Sequence, residues 1–145
     1  MRVVLQTAAF DLGAEAAAFA AGAAGAGAVV TFTGLVRGDG ALTAMEIECW
    51  PGVTERALRT HAAAAASRFG LTDVAVIHRH GRLLPGEAIM MVATAAPHRA
   101  DAFAAAEFLM DFLKSRAPFW KKEIGPAGAA WVAAKDADEE ALARW

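Results

Sequence analysis

The sequence predicts an α+β fold in a single domain, and three observations carry that expectation. Strand-like and helical segments follow one another in mixed order rather than in a regular βαβ alternation. At least one segment, around Ile89 to Val92, has no polar face and reads as a strand covered on both sides. The chain has 145 residues, 57% of them apolar and 21% charged, which suits one core and is too apolar for disorder.

The elements are predicted in chain order. Asp11 to Ala24 is alanine-rich, places Leu12, Ala16, Phe19 and Ala20 near helical spacing, and is closed by Gly25 to Gly27. Ala28 to Val36 is rich in β-branched residues and runs into Gly38-Asp39-Gly40. Leu42 to Trp50 alternates, with Met45, Ile47 and Cys49 on one face and Glu46 and Glu48 on the other, so the two segments are expected to form a tight hairpin. Pro51-Gly52 interrupts, and Thr54 to Phe69 has the spacing of an amphipathic helix closed by Gly70. Asp73 to His80 is a strand, Leu84 to Glu87 a turn, and Ala88 to Ala96 a largely buried strand ended by Pro97. His98 to Arg116 is a long helix with a stripe of Phe103, Ala106, Met110 and Leu113, stopped by Pro118. Phe119 to Ile124 is extended, Ala130 to Ala134 is a short last strand around Trp131, and Asp136 caps a terminal helix. The expected architecture is therefore a mixed or antiparallel sheet with packed helices.

Composition excludes several classes of function. A net charge of −2 lacks the basic excess of a nucleic-acid coat, so any anion site must be local. The lone Cys49 rules out an internal disulfide framework or a zinc ribbon. No apolar run reaches the roughly 18 residues of a membrane span, and Met1 to Gln6 is not the start of a secretory signal, so a soluble, cytoplasmic protein is expected. Dinucleotide-fold, P-loop, nucleophile-elbow and zincin motifs are missing.

Chemistry points first to lysine. Ten of the fourteen basic residues are Arg, and three of the four Lys, Lys114, Lys121 and Lys122, fall within nine residues. An amine can give up its proton and act as nucleophile or acid/base, which guanidinium does not do. Ala117-Pro118 joins the helix bearing Lys114 to the strand bearing Lys121 and can hold both amines on one wall of a cleft, where each depresses the other's pKa. The alternatives are solvated surface lysines, with Lys114 complementing the helix dipole. His98-Arg99 opens the same helix, either as an anion site or as an ordinary exposed first turn. Arg37 is an anion contact or a surface charge. His78 and His80 share a strand face with metal-ligand spacing but have no acidic or thiol partner nearby in sequence, so no metal site is expected. Trp50, Trp120, Trp131 and Trp145 suit either core or interface.

These residues resemble the large, catalytic subunit family of molybdopterin synthase from about Gly27 to Trp145, with residues 1–26 carrying little of the signal. The matching segments are GAVVTFTGLVR at Gly27 to Arg37, VIHRHG at Val76 to Gly81, HRADAF at His98 to Phe103 and, most specific, MDFLKSRAPFWKKE at Met110 to Glu123. The resemblance implies an α/β-hammerhead fold and a homodimer at the centre of a heterotetramer, with a small ubiquitin-like subunit docked at each end. It implies a sulfurtransferase with no cofactor of its own. The partner's C-terminal Gly-Gly thiocarboxylate would supply sulfur to cyclic pyranopterin monophosphate, forming the dithiolene of molybdopterin. On the matching positions, Lys114 and Lys121 are then the catalytic lysines, Arg37 the pocket arginine, and Phe32 and Met110 pocket walls. His98 and Arg99 would bind anion, and Lys135 would reach in from the other protomer. A non-catalytic module that captures a ubiquitin-like tail in the same groove is the second reading.

Overall fold

The computed structural model describes residues 1–38, 40–133 and 136–145. Its strands sort into two four-stranded sheets among these residues. The first contains β1 (Arg2–Gln6), β2 (Ala28–Leu35), β4 (Asp73–Arg79) and β6 (Ala88–Ala96), in the order β1-β4-β6-β2, with β1 parallel to β4 and the other pairs antiparallel. The second contains β3 (Ala44–Cys49), β5 (Gly81–Leu83), β7 (Phe119–Gly125) and β8 (Gly128–Trp131), in the order β5-β3-β7-β8 and antiparallel throughout.

The central strands of the first sheet are apolar because both of their faces are covered. Val74, Val76, Met90 and Val92 pack toward α2 (Pro51–Phe69) and α3 (Arg99–Ser115), while Ala75, Ile77, Met91 and Ala93 meet Leu12 and Phe19 of α1 (Leu12–Gly22). Local chemistry sets the helix ends. The Asp11 carboxylate accepts from the Ala14 N–H at α1, and Gly70, at φ +60°, donates its N–H to the Ala66 carbonyl where α2 ends. None of the described helices is long and apolar enough to cross a membrane.

The α+β class holds, and the expected hairpin does not. β2 pairs with β6, and β3 pairs with β5 and β7, so the two strands belong to different sheets. The register slips between Gly34 and Leu35, and Val36 then exchanges hydrogen bonds of 2.9 and 2.8 Å with Glu87 and Gly86 instead of with β3. On α3 the expected stripe holds at Ala106 and Leu113, which are buried, and at Met110, which packs against the core, but the buried face is wider and leaves out Phe103. Ala102, Ala105, Leu109 and Phe112 are buried, and Phe103 is 61% exposed. β1 and β5, short and without a clear alternation, are strands that periodicity did not reveal. Three of the four tryptophans, Trp50, Trp120 and Trp131, are exposed, while Trp145 packs edge-on against Phe69 and Phe108.

Two contacts fix the region around Lys114. The Thr54 hydroxyl of α2 donates to the Pro118 carbonyl at 3.0 Å, pinning the corner between α3 and β7. α4 (Asp136–Leu142) is tied to the end of α3 by the Ser115 hydroxyl, which donates to the Asp138 carbonyl at 2.7 Å. Beyond α4, the Trp145 indole N–H donates to the Asp111 carboxylate at 2.6 Å, and the Arg144 guanidinium donates to the same group. Replacing Thr54 with Val keeps the shape of the side chain but leaves the Pro118 carbonyl without its donor. The variant is expected to lose about 1–2 kcal/mol, seen as a lower urea midpoint at unchanged m-value.

Candidate active site

A cavity of about 70 Å³ opens where the two sheets and α3 converge. β2 contributes Phe32 and Gly34, β6 Met90, β4 His78, α3 Met110 and Lys114, and β7 Lys121. Strand alternation explains why only one of two adjacent lysines faces it. Lys122 points to the opposite side of β7, where it pairs with Glu48 at 3.3 Å and lies 4.3 Å above the Trp131 ring. Lys121 turns inward. Close packing shapes the wall opposite, because a Cβ on Gly34 would come within 3.2 Å of Met90 Cγ.

The electrostatics of this cavity are uneven. Burial holds the Lys121 amine below the ordinary lysine range, the Lys114 ammonium lowers it further, and Asp138 pulls weakly the other way. Lys114 is exposed, at the rim in the last turn of α3. A second, larger hollow of about 180 Å³ lies between α1 and the first sheet. Its charged groups neutralise one another, Arg2 with Glu15 and Asp73 with the Met1 amine, which leaves the smaller cavity as the candidate site.

Phe32, Met110, Lys114 and Lys121 therefore come together, and other candidates do not. Arg37 lies just past β2, exposed and outside the cavity lining. His98 and Arg99 are exposed at the far end of α3, where His98 makes no side-chain cap. Fifteen residues of helix separate Arg99 from Lys114, about 22 Å along the axis at roughly 1.5 Å per residue. One copy of the chain cannot bring that pair to its own lysines. Lys135 falls outside the described residues. His78 was visible in the sequence only as half of a weak metal pattern; among the described residues no three His, Cys, Asp or Glu side chains group to hold a metal. The signal for its true place was the apolar face it shares with Val74 and Val76.

A two-sheet α+β domain with a recessed amine beside a second lysine carries groups of the kind that acid/base or nucleophilic enzymes use. The family model described as MoaE protein matches residues 5–116. Over the full length of both chains, the sequence is 69% identical to the molybdopterin synthase catalytic subunit of Cereibacter sphaeroides. Among solved structures, the molybdopterin biosynthesis MoaE protein of Burkholderia ambifaria MC40-6 superposes with a TM-score of 0.85 at 52% identity, covering 99% of this chain and 97% of that one. A more distant likeness, of fold alone, is to the protein–protein complex of subunits 1 and 2 of molybdopterin-converting factor from Helicobacter pylori 26695, with a TM-score of 0.77 at 19% identity over 92% of this chain and 90% of that one. The chain belongs to the MoaE family, the catalytic subunits of molybdopterin synthase.

Removing the Lys114 charge should let Lys121 hold its proton more firmly. In Lys114→Met, the midpoint for trace acetylation of Lys121, followed by mass spectrometry across pH, should move up toward the ordinary lysine value of about 10.4.

Proposed function

We propose that the chain transfers sulfur from the C-terminal Gly-Gly thiocarboxylate of a small ubiquitin-like subunit to cyclic pyranopterin monophosphate, in the cytoplasm and without a resident cofactor. The observation that carries this reading is the recessed Lys121 amine facing a cavity whose rim bears Lys114. A thiocarboxylate tail is narrow and anionic, and it suits a small opening with cationic walls. The thiocarboxylate sulfur bonds to a pterin carbon, water then takes its place on the acyl carbon to leave a carboxylate, and the two amines stabilise the negative charge that develops on oxygen and sulfur as the acyl C–S bond breaks. Two transfers, with opening of the cyclic phosphate, complete the dithiolene. A partner subunit fits the complex in which the Helicobacter pylori relative of the same fold was solved.

The pterin needs more room than this cavity offers, because ligand pockets run to about 300 Å³ or more. In this reading a second copy of the chain completes the site. Its His98 and Arg99 bring an uncapped helix N-terminus and a guanidinium to the substrate phosphate, with its Lys135 alongside. The free edge of β2, with Val29, Phe32 and Leu35 exposed at 39, 41 and 54%, is the surface on which such a copy would pack. Arg37, at the end of that strand, would then contact the anion.

Reconstitution with the thiocarboxylated small subunit and the cyclic pterin tests the lysines. Lys114→Ala and Lys121→Ala should each abolish product while small-subunit affinity stays within about tenfold, or 1.4 kcal/mol. Loss of affinity in step with activity would favour tail capture without catalysis. Mixing tests the shared site: Lys114→Ala and Arg99→Ala chains, each inactive alone, should regain activity when refolded together, since one site in each mixed dimer is intact. Absence of recovery would overturn the shared site and with it the role of Arg99 in the reaction.

A further inference from the structure

His78 is the polar side chain at the cavity that the proposed reaction leaves without a task. It lies near the end of β4, only 2% exposed, on the face shared with Val74 and Val76. Its ring stacks on Phe119 of β7, with centroids 3.9 Å and planes 16° apart. Nδ1 stands 2.7 Å from the Arg79 carbonyl. A carbonyl only accepts, so Nδ1 carries the proton and donates it, and a neutral ring keeps its lone pair on Nε2. Burial keeps the ring neutral: it drives the pKa down to about 3 against the pull of the Arg79 hydrogen bond, and the charges of Lys121 and His80 add to the fall.

Phe119 and Lys121 are two residues apart on β7 and share a face, so a ring stacked on Phe119 lies beside the Lys121 stem. The charges that act on His78 and Lys121 come from Lys121 of β7, Lys114 of α3, His80 just beyond β4 and Asp138 of α4, and β3 places the Cys49 thiol opposite Phe119. β2 and β6 supply none.

We infer that His78 is a positioning residue: locked as the Nδ1–H tautomer at the same cavity as Lys121, it keeps Nε2 as a neutral acceptor for an N–H of Lys121 when the amine turns toward the substrate, and so favours that orientation. The inference rests on the role given to Lys121 above. A charged imidazole would add a third cation to the pocket, and an apolar ring would leave the amine free to rotate. A neutral acceptor avoids both.

The tautomer is read directly from two-bond 1H–15N correlations on histidine-labelled protein. His78 should show a protonated Nδ1 and a bare Nε2 from about pH 5 to about pH 8, the range in which an ordinary histidine titrates. A ring that titrates there, or carries its proton on Nε2, overturns the proposal whatever the activity. In the reconstituted synthase, His78→Phe keeps the stacked ring without the acceptor, and His78→Gln restores an acceptor. His78→Phe should lower kcat about tenfold or more at little changed KM and displace the limb of the pH–rate profile that belongs to Lys121, with most of the loss recovered in His78→Gln. Wild-type kinetics in His78→Phe, or equal losses in both variants, overturn it. Failure of the underlying reading shows separately, as full activity in Lys121→Ala with His78 intact, and it removes this role with it.

Discussion

The separation of Lys114 from Lys121 depends on one corner of the chain, Arg116 to Pro118, and one hydroxyl holds that corner. α3 is fixed by burial of Ala102, Ala105, Leu109 and Phe112, and β7 by its pairing with β3. Between them lie only Arg116, Ala117 and Pro118, where the Phe119 N–H turns back onto the Ala117 carbonyl at 2.7 Å. Thr54, fully buried on α2, donates to the Pro118 carbonyl and brings a third element to bear on the same point. Proline limits the backbone angles, and the hydroxyl fixes what remains. The two amines inherit their geometry from that arrangement.

Holding an amine in such a place works against stability. A recessed lysine beside a second ammonium is disfavoured in its charged form, and the rest of the domain compensates with a well-filled core on both faces of β4 and β6. The neighbouring Lys122 shows the ordinary solution, an exposed carboxylate and an indole face to rest on. Adjacent residues of one type thus serve opposite ends because a strand turns them to opposite sides.

Much of this was legible in the sequence where one local rule governed the outcome. Asp11 and Gly70 mark helix ends, Ile89 to Val92 announces a strand covered twice, and the lysines around Pro118 are spaced so that both can share one wall of a cleft. What escaped depended on contacts distant in the chain. Nothing near Ala28 to Cys49 says that β2 will prefer β6, because an open turn and two strand-like runs are equally a hairpin and a crossing between sheets. Phe103 reads as core by its type, yet it stays exposed while Ala106 and Met110, further along the same side of α3, pack inward. His78 was hidden by its chemistry: a histidine two residues from another histidine suggests a ligand, and only the packing of β7 over β4 shows a ring held neutral. The separation of His98 and Arg99 from the lysines follows from helix length alone, once a single straight helix is known to join them.

The alanines of the interior carry a further consequence. Ala62 and Ala65 of α2, Ala102 and Ala105 of α3, and Ala93, Ala95 and Ala96 of β6 are all fully buried, so backbones approach closely with little side chain between them. Such joints have no slack: a methyl group can be lost only to glycine, and anything larger must push two elements apart. Because α3 is one of those elements and bears Lys114 at its end, a misfit near its start would be transmitted along the helix as displacement at the rim of the cavity. The domain's freedom to vary is therefore narrowest at residues that touch no substrate, and its smallest side chains are the ones that evolution can least afford to exchange.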